Sequence, residues 1–235
     1  QLADLIIGQQ VPAGRLAVWR VGERALALKS HRHLALLMPE FTEDGLLQPE
    51  DLPATDVILC GGTLPRAVLR RLVQRTSARF IGPASLRQAL LADGVADDRS
   101  IALSPGARAD LLGLSALATP ARTSAPDEHI GFLVQVDHLL LYHAGDTQFL
   151  GEFGPIGEQF HPQLVILPVG GAMSMADCVH AARQLQPRLV LPLGPEAAER
   201  DFIERCRAQH MPFATRHLHH AEGGAFDGWK LHPLE

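Results

Sequence analysis

VILCGGTLPRAVLRRLVQRTSARFIGP, Val57 to Pro83, and VILPVGGAMSMADCVHAARQLQPRLVLPLGP, Val165 to Pro195, are two versions of one pattern. Each begins with a short apolar run, passes a Gly-Gly pair, continues with apolar residues at helical spacing, and returns to an apolar run that stops at Gly-Pro. Gly61-Gly62 matches Gly170-Gly171, and Gly82-Pro83 matches Gly194-Pro195. In the first copy Val68, Leu69, Leu72 and Val73 form an inward stripe, with Thr63 expected as N-cap and Pro65 in the first turn. In the second, Met175, Cys178, Val179, Ala182 and Leu185 share a face, Ser174 can cap the exposed amides, and Asp177 complements the helix dipole.

Working outward, RLAVWRV, RALALKS and HLALLMP predict three antiparallel strands ahead of the first copy, and Glu40 to Pro53 reads as a loop. After that copy come a helix at SLRQALLADG, strands around IALSPGA and LGLSALATP, and a hairpin of GFLVQV with LLLYHAG across Asp137-His138. PEAAERDFIERCRAQ predicts a helix after the second copy. Two similar halves imply an α/β protein: a four-layer αββα sandwich of two pseudo-symmetric halves, with strand-end loops of both halves meeting at one edge. Residues 1–235 read as a single domain, because no Pro/Gly/Ser-rich linker divides them.

The composition narrows the partners. A net charge of -5 supplies no basic field for a nucleic-acid backbone. No apolar run approaches the roughly 18 to 20 residues that span a bilayer, so no membrane partner is expected. Three isolated cysteines, Cys60, Cys178 and Cys206, suit a reducing compartment, and a cytoplasmic location is the expectation.

The element order, together with GDT at Gly145 to Thr147 and the PVGG-x-M-S-M-x-D run from Pro168 to Asp177, resembles the metallo-β-lactamase superfamily, in particular its L-ascorbate-6-phosphate lactonase-like branch. The resemblance implies a hydrolase that binds metal ions at the sheet edge and activates water. It also implies a ligand motif, T-H-x-H-x-D-H, where this chain reads C-G-G-T-L-P-R, Cys60 to Arg66. Gly61 and Thr63 stand for two histidines, Pro65 for the aspartate and Arg66 for the last histidine. The next family histidine matches TPARTS, Thr119 to Ser124, and the final one matches Gly194 in LPLGP; Asp146 alone keeps a ligand position. A divalent ion needs several N or O donors at about 2.0 to 2.2 Å, and without it water keeps a pKa near 15.7 rather than about 7.

The sequence therefore predicts a degenerate site with no confident catalytic residue and no cofactor. The former pocket is expected to gather Cys60, Gly61, Gly62, Thr63, Arg66, Arg122, Asp146, Thr147, Gly170, Gly171 and Gly194. Arg66, and Arg122 with it, are expected to project into the metal's former space and pair with Asp146, while amides of Gly61 to Thr63 at a helix N-terminus hold a small anion. The main expectation is a binding, regulatory or assembly role. The alternatives are a zinc- or manganese-dependent hydrolase of lactones or phosphoesters around Asp146, using His129 or His161, and a structural subunit of a homo-oligomer. His31-Arg32-His33 reads as a surface turn, His143 as structural and facing away from Asp146, His217 and His219 as one face of a strand, Cys60 as a buried small residue, and Ser174 as a cap.

Overall fold

A computed structural model describes residues 2–42, 45–52, 54–124 and 128–234; part of the expected loop from Glu40 to Pro53 lies outside them. The first half carries α1 (Leu2–Gly8), β1 (Leu16–Arg20), β2 (Leu26–Lys29), β3 (Leu34–Leu37), β4 (Val57–Leu59), α2 (Arg66–Arg75), β5 (Arg79–Gly82), α3 (Ala84–Ala92) and β6 (Ser100–Ala102). The second carries β7 (Arg108–Leu111), β8 (Leu114–Pro120), β9 (Ile130–Val136), β10 (Leu139–His143), α4 (Phe153–Phe160), β11 (Leu164–Pro168), α5 (Met175–Leu185), β12 (Leu189–Leu193), α6 (Glu196–Ala208) and β13 (Ala214–Thr215). β14 (Gly223–Phe226) and β15 (Leu231–Pro233) then return to the first sheet.

The sheets run β15-β14-β1-β2-β3-β4-β5-β6 and β13-β12-β11-β10-β9-β8-β7. In each half three antiparallel strands, β1 to β3 or β8 to β10, are followed by three parallel ones, β4 to β6 or β11 to β13. The two copies of the opening pattern are the parallel crossovers β4-α2-β5 and β11-α5-β12. Burial explains the four layers. Leu16, Leu28, Phe132 and Ile166 belong to an apolar core between the sheets. A second core joins α1, α2 and α3 to the outer face of the first sheet through Ile6, Leu69, Leu72, Leu86 and Leu90. A third joins α4, α5 and α6 to the second sheet through Phe153, Val179, Leu185 and Phe202. Strands buried on both faces need no polar alternation, which is why VIL and LVILP read as continuous apolar runs.

Several expectations need correction. α2 begins at Arg66 behind Pro65 as its N-cap, so Thr63 lies outside it; Ser174 does cap α5, its Oγ accepting from the Asp177 amide at 3.2 Å. α4, in EFGPIGEQF, was not anticipated: Gly154, Pro155 and Gly157 argue against a helix. Its reason is packing, since a Cβ on Gly157 would lie 2.2 Å from the Gln184 carbonyl oxygen of α5. Residues 216–222 form no strand.

Candidate functional site

The C-terminal ends of the central strands of both sheets open at one edge, where a cavity of about 250 Å³ lies between the loop after β4 and the turn after β10. Its lining brings together Cys60, Gly61, Gly62, Thr63 and Asp146 as the sequence implied, and adds Arg24, Glu40, His129 and His143. Arg24 decides its electrostatics. Its Nη1 lies 3.0 Å from Asp146 Oδ1, so a guanidinium pairs with the carboxylate of the cavity.

The β1–β2 turn that carries Arg24 is held from both halves of the fold. The Arg24 amide donates to Glu40 Oε2 at 3.1 Å, and the Arg24 carbonyl is 2.9 Å from His143 Nε2. His143 Nδ1 accepts from the Gly145 amide at 3.0 Å, so the ring proton sits on Nε2 and donates to Arg24. Both ring nitrogens are thereby used. Burial pushes His143 down to about 4, partly offset by the hydrogen bond to the Arg24 carbonyl and reinforced by the Arg24 charge, so the ring is neutral at pH 7. The expectation that it faces away from Asp146 fails, because β10 ends at His143 and the turn that follows brings both residues to one cavity.

Other expected members lie elsewhere. Arg66 turns away from the edge and, with Arg70, pairs with Asp93, at 2.6 and 2.9 Å; α2 starts here, and its first turn faces the end of α3. Arg122 is exposed and, among the described residues, touches the site through its backbone, its amide donating to Thr147 Oγ1 at 2.9 Å. Thr147 is fully buried and donates to the Gln148 carbonyl. Gly171 borders Asp146, with a Cβ position 3.8 Å from Oδ1, whereas Gly170 packs against Pro195 and Ala198 of the α6 start. His161 ends α4 ahead of β11, at the opposite edge from Asp146, which removes it from any site there. Cys60 is buried, its thiol pushed up to about 12, which disfavours a thiolate nucleophile.

Gly194 stands in a second buried network. A Cβ there would lie 2.1 Å from the Val169 carbonyl oxygen, so the position admits no side chain as the chain is packed. Its amide donates to Glu199 Oε1 at 2.8 Å and its carbonyl accepts from Arg20 Nη2 at 2.9 Å. Arg20 and Glu199, 2% and 0% exposed, pair at 2.7 Å, and His217 Nδ1 approaches Glu199 Oε2 to 2.6 Å outside hydrogen-bond geometry. Gly61 is similarly closed, its Cβ position lying 2.7 Å from the Ile130 carbonyl oxygen and 2.6 Å from Met38 Sδ. The donor set thus does not fit a divalent ion. Two ligand positions admit no side chain, Thr63, Pro65 and Arg66 replace the others of the motif, and Asp146 is paired with Arg24. Among the described residues no group of three or more His, Cys, Asp or Glu side chains could hold a metal ion. No helix among them is long and apolar enough to cross a membrane.

Arg24 and Arg20 were missed from sequence because they sit in and beside a short hairpin turn far from the motif. The signal available was two arginines spaced around Gly22-Glu23 at the end of an otherwise apolar strand.

Residues 105–194 match the family described as Beta-lactamase superfamily domain. Among curated proteins, the chain is similar to a UPF0173 metal-dependent hydrolase of Thermofilum pendens, 31% identical over 125 residues, 52% of this chain and 54% of that protein. It is also similar to a UPF0173 metal-dependent hydrolase of Opitutus terrae, 29% identical over 189 residues, 73% of this chain and 81% of that protein. The chain spans about half the length of the first of these relatives. Among solved structures, Igni18, a metallo hydrolase from Ignicoccus hospitalis, superposes with a TM-score of 0.76 at 22% identity, covering 90% of this chain and 98% of that one. The fold is that of the metallo-β-lactamase superfamily.

Proposed function

We propose that this chain is a metallo-β-lactamase-fold protein in which Arg24 takes the place of the metal at Asp146, so that the edge cavity binds a small ligand and performs no metal-dependent hydrolysis. The observation that carries this reading is the 3.0 Å contact of Arg24 with Asp146, supported by the closed positions at Gly61 and Gly194. A guanidinium cannot lower the pKa of a bound water as a divalent ion does, but it keeps a positive charge beside the carboxylate. The ligand class is a small anion that exchanges with Asp146 on the guanidinium. Glu23, Glu40 and Asp146 surround Arg24, so this exchange is weak in the wild type. The biological role is regulatory or one of assembly.

A second reading, a metal-dependent hydrolase, is favoured by the names of the relatives and by His129, which lines the same cavity as Asp146. One experiment separates the two. Protein purified without a tag is assayed for zinc and manganese by mass spectrometry and for turnover of a lactone and a phosphodiester panel. Substoichiometric metal and no metal-dependent turnover support the binding reading. Stoichiometric metal with turnover abolished in Asp146→Ala refutes it.

A further inference from the structure

The opposite edge of the sandwich holds a second cavity, of about 320 Å³, between the two sheets. Its wall is made by Leu16, Leu28, Ala35, Val57, Leu114 and Val136, all members of the inter-sheet core. Protein interiors are close-packed with few voids larger than a water, so a space of this size continuous with the core is a candidate ligand site. At roughly 30 Å³ per atom group, the share of a water in the liquid, it takes about ten heavy atoms.

Two features of the mouth define what those atoms carry. The β2–β3 turn, Ser30 to His33, frames one side. Ser30 Oγ is used within the turn, accepting from the Arg32 and His33 amides at 3.2 and 3.0 Å. His31 lies 4.0 Å from Asp137 and His33 lies 3.6 Å from Asp56, so each nearby carboxylate faces an imidazole. Arg32 is exposed, and its guanidinium makes no hydrogen bond or ion pair with the described residues. On the other side the β7–β8 turn places Leu112 at φ +53° ahead of Gly113 at φ +75°. Two-residue hairpins with positive φ at both positions favour Asn-Gly or Asp-Gly, and a branched apolar side chain there is an outlier. Leu112 is also 42% exposed, at the mouth of an apolar space. A residue that is unfavourable for the turn and for the solvent is explained by contact with an apolar occupant.

We propose that this cavity binds a medium-chain amphipathic carboxylate, its tail between the sheets under Leu112 and its head on the Arg32 guanidinium. The site is independent of the Asp146 cavity, so its fate leaves the proposed function untouched.

Titration calorimetry with straight-chain carboxylates from butanoate to dodecanoate tests the proposal. Affinity should rise about fourfold per added methylene and level off once the cavity is filled, near octanoate to decanoate. Octanol and octylamine should bind at least tenfold more weakly than octanoate. Arg32→Gln should weaken octanoate about tenfold and leave octanol unchanged. Leu112→Asn should raise the Tm while weakening octanoate severalfold, a pair of opposite effects that a merely structural leucine does not give. Ala35→Leu, which fills the space, should abolish binding; if it fails to fold, the two surface variants carry the test. No octanoate binding, no chain-length dependence, or equal binding of octanol and octanoate overturns the proposal.

Discussion

Replacing Glu199 by Gln removes a buried negative charge while keeping an oxygen for the Gly194 amide, and so isolates what the charge contributes at this edge of the fold. Glu199 is fully buried and lies 2.7 Å from Nη1 of Arg20, itself 2% exposed. Removing one partner of a buried pair costs about 3 to 5 kcal/mol because the other charge stays behind unpaired. Arg20 retains four carbonyl acceptors, those of Gly22, Glu23, Gly194 and Leu218, so the lower figure, about 3 kcal/mol, applies to Glu199→Gln. Arg20→Met leaves a carboxylate with fewer donors and should cost about 5 kcal/mol. At roughly 2 to 4 °C per kcal/mol for a chain of this size, the Glu199→Gln Tm falls by about 6 to 12 °C. Urea unfolding should give a lower midpoint at unchanged m, and the double variant should cost less than the sum of the singles by about 2 kcal/mol. A Glu199→Gln protein within about 1 kcal/mol of wild type would refute the reasoning. The same arginine holds the carbonyls of Gly22 and Glu23, so the prediction bears on the turn that presents Arg24 to Asp146.

Other consequences follow from the same geometry. His143 is neutral in the fold with its pKa pushed down to about 4, so the stability it contributes is full above its ordinary value of 6.5 and is lost as pH falls from there to about 4. That loss is about 3 kcal/mol, and thermal melts across the window should show a shallower slope in His143→Gln. Gly194→His, which restores the family ligand in name, should destabilise by about 3 kcal/mol or more and bind no zinc, read by melting and metal analysis, because the Val169 carbonyl oxygen occupies the space. Asp146→Asn frees Arg24 from a half-exposed pair worth about 1 kcal/mol or less, so the Tm should hold within about 3 °C while phosphate affinity rises up to about fivefold by calorimetry.

The four-layer fold was legible because the two crossovers repeat the same local chemistry: doubly buried strands, a Gly-Gly turn and an amphipathic helix. α5 followed from Ser174 and its stripe, since capping and periodicity are local. α4 was illegible, because Gly157 answers to packing and not to helix propensity: a Cβ there would lie 2.2 Å from the Gln184 carbonyl oxygen. The candidate site divided the same way. Absence of histidines at Gly61, Thr63, Arg66 and Gly194 was readable one position at a time. Assigning Arg66 to Asp146 failed, because a side chain at a helix start pairs with whatever carboxylate the neighbouring helix offers, here Asp93.

By itself, then, the sequence determined the layer order, the edge where both halves meet and the absence of histidine at Gly61, Thr63, Arg66 and Gly194, all of which depend on residue type and short-range spacing. That Arg24 pairs with Asp146 was decided only by tertiary structure. Arg24 reaches Asp146 across a gap of 122 residues because Glu40, in the loop after β3, and His143, at the end of β10, hold its backbone between them. The closure of Gly61 and Gly194 is likewise a property of the folded chain, since the atoms that fill their side-chain space are the Met38 side chain and the Ile130 carbonyl at one and the Val169 carbonyl at the other, which leave no mark in composition or period.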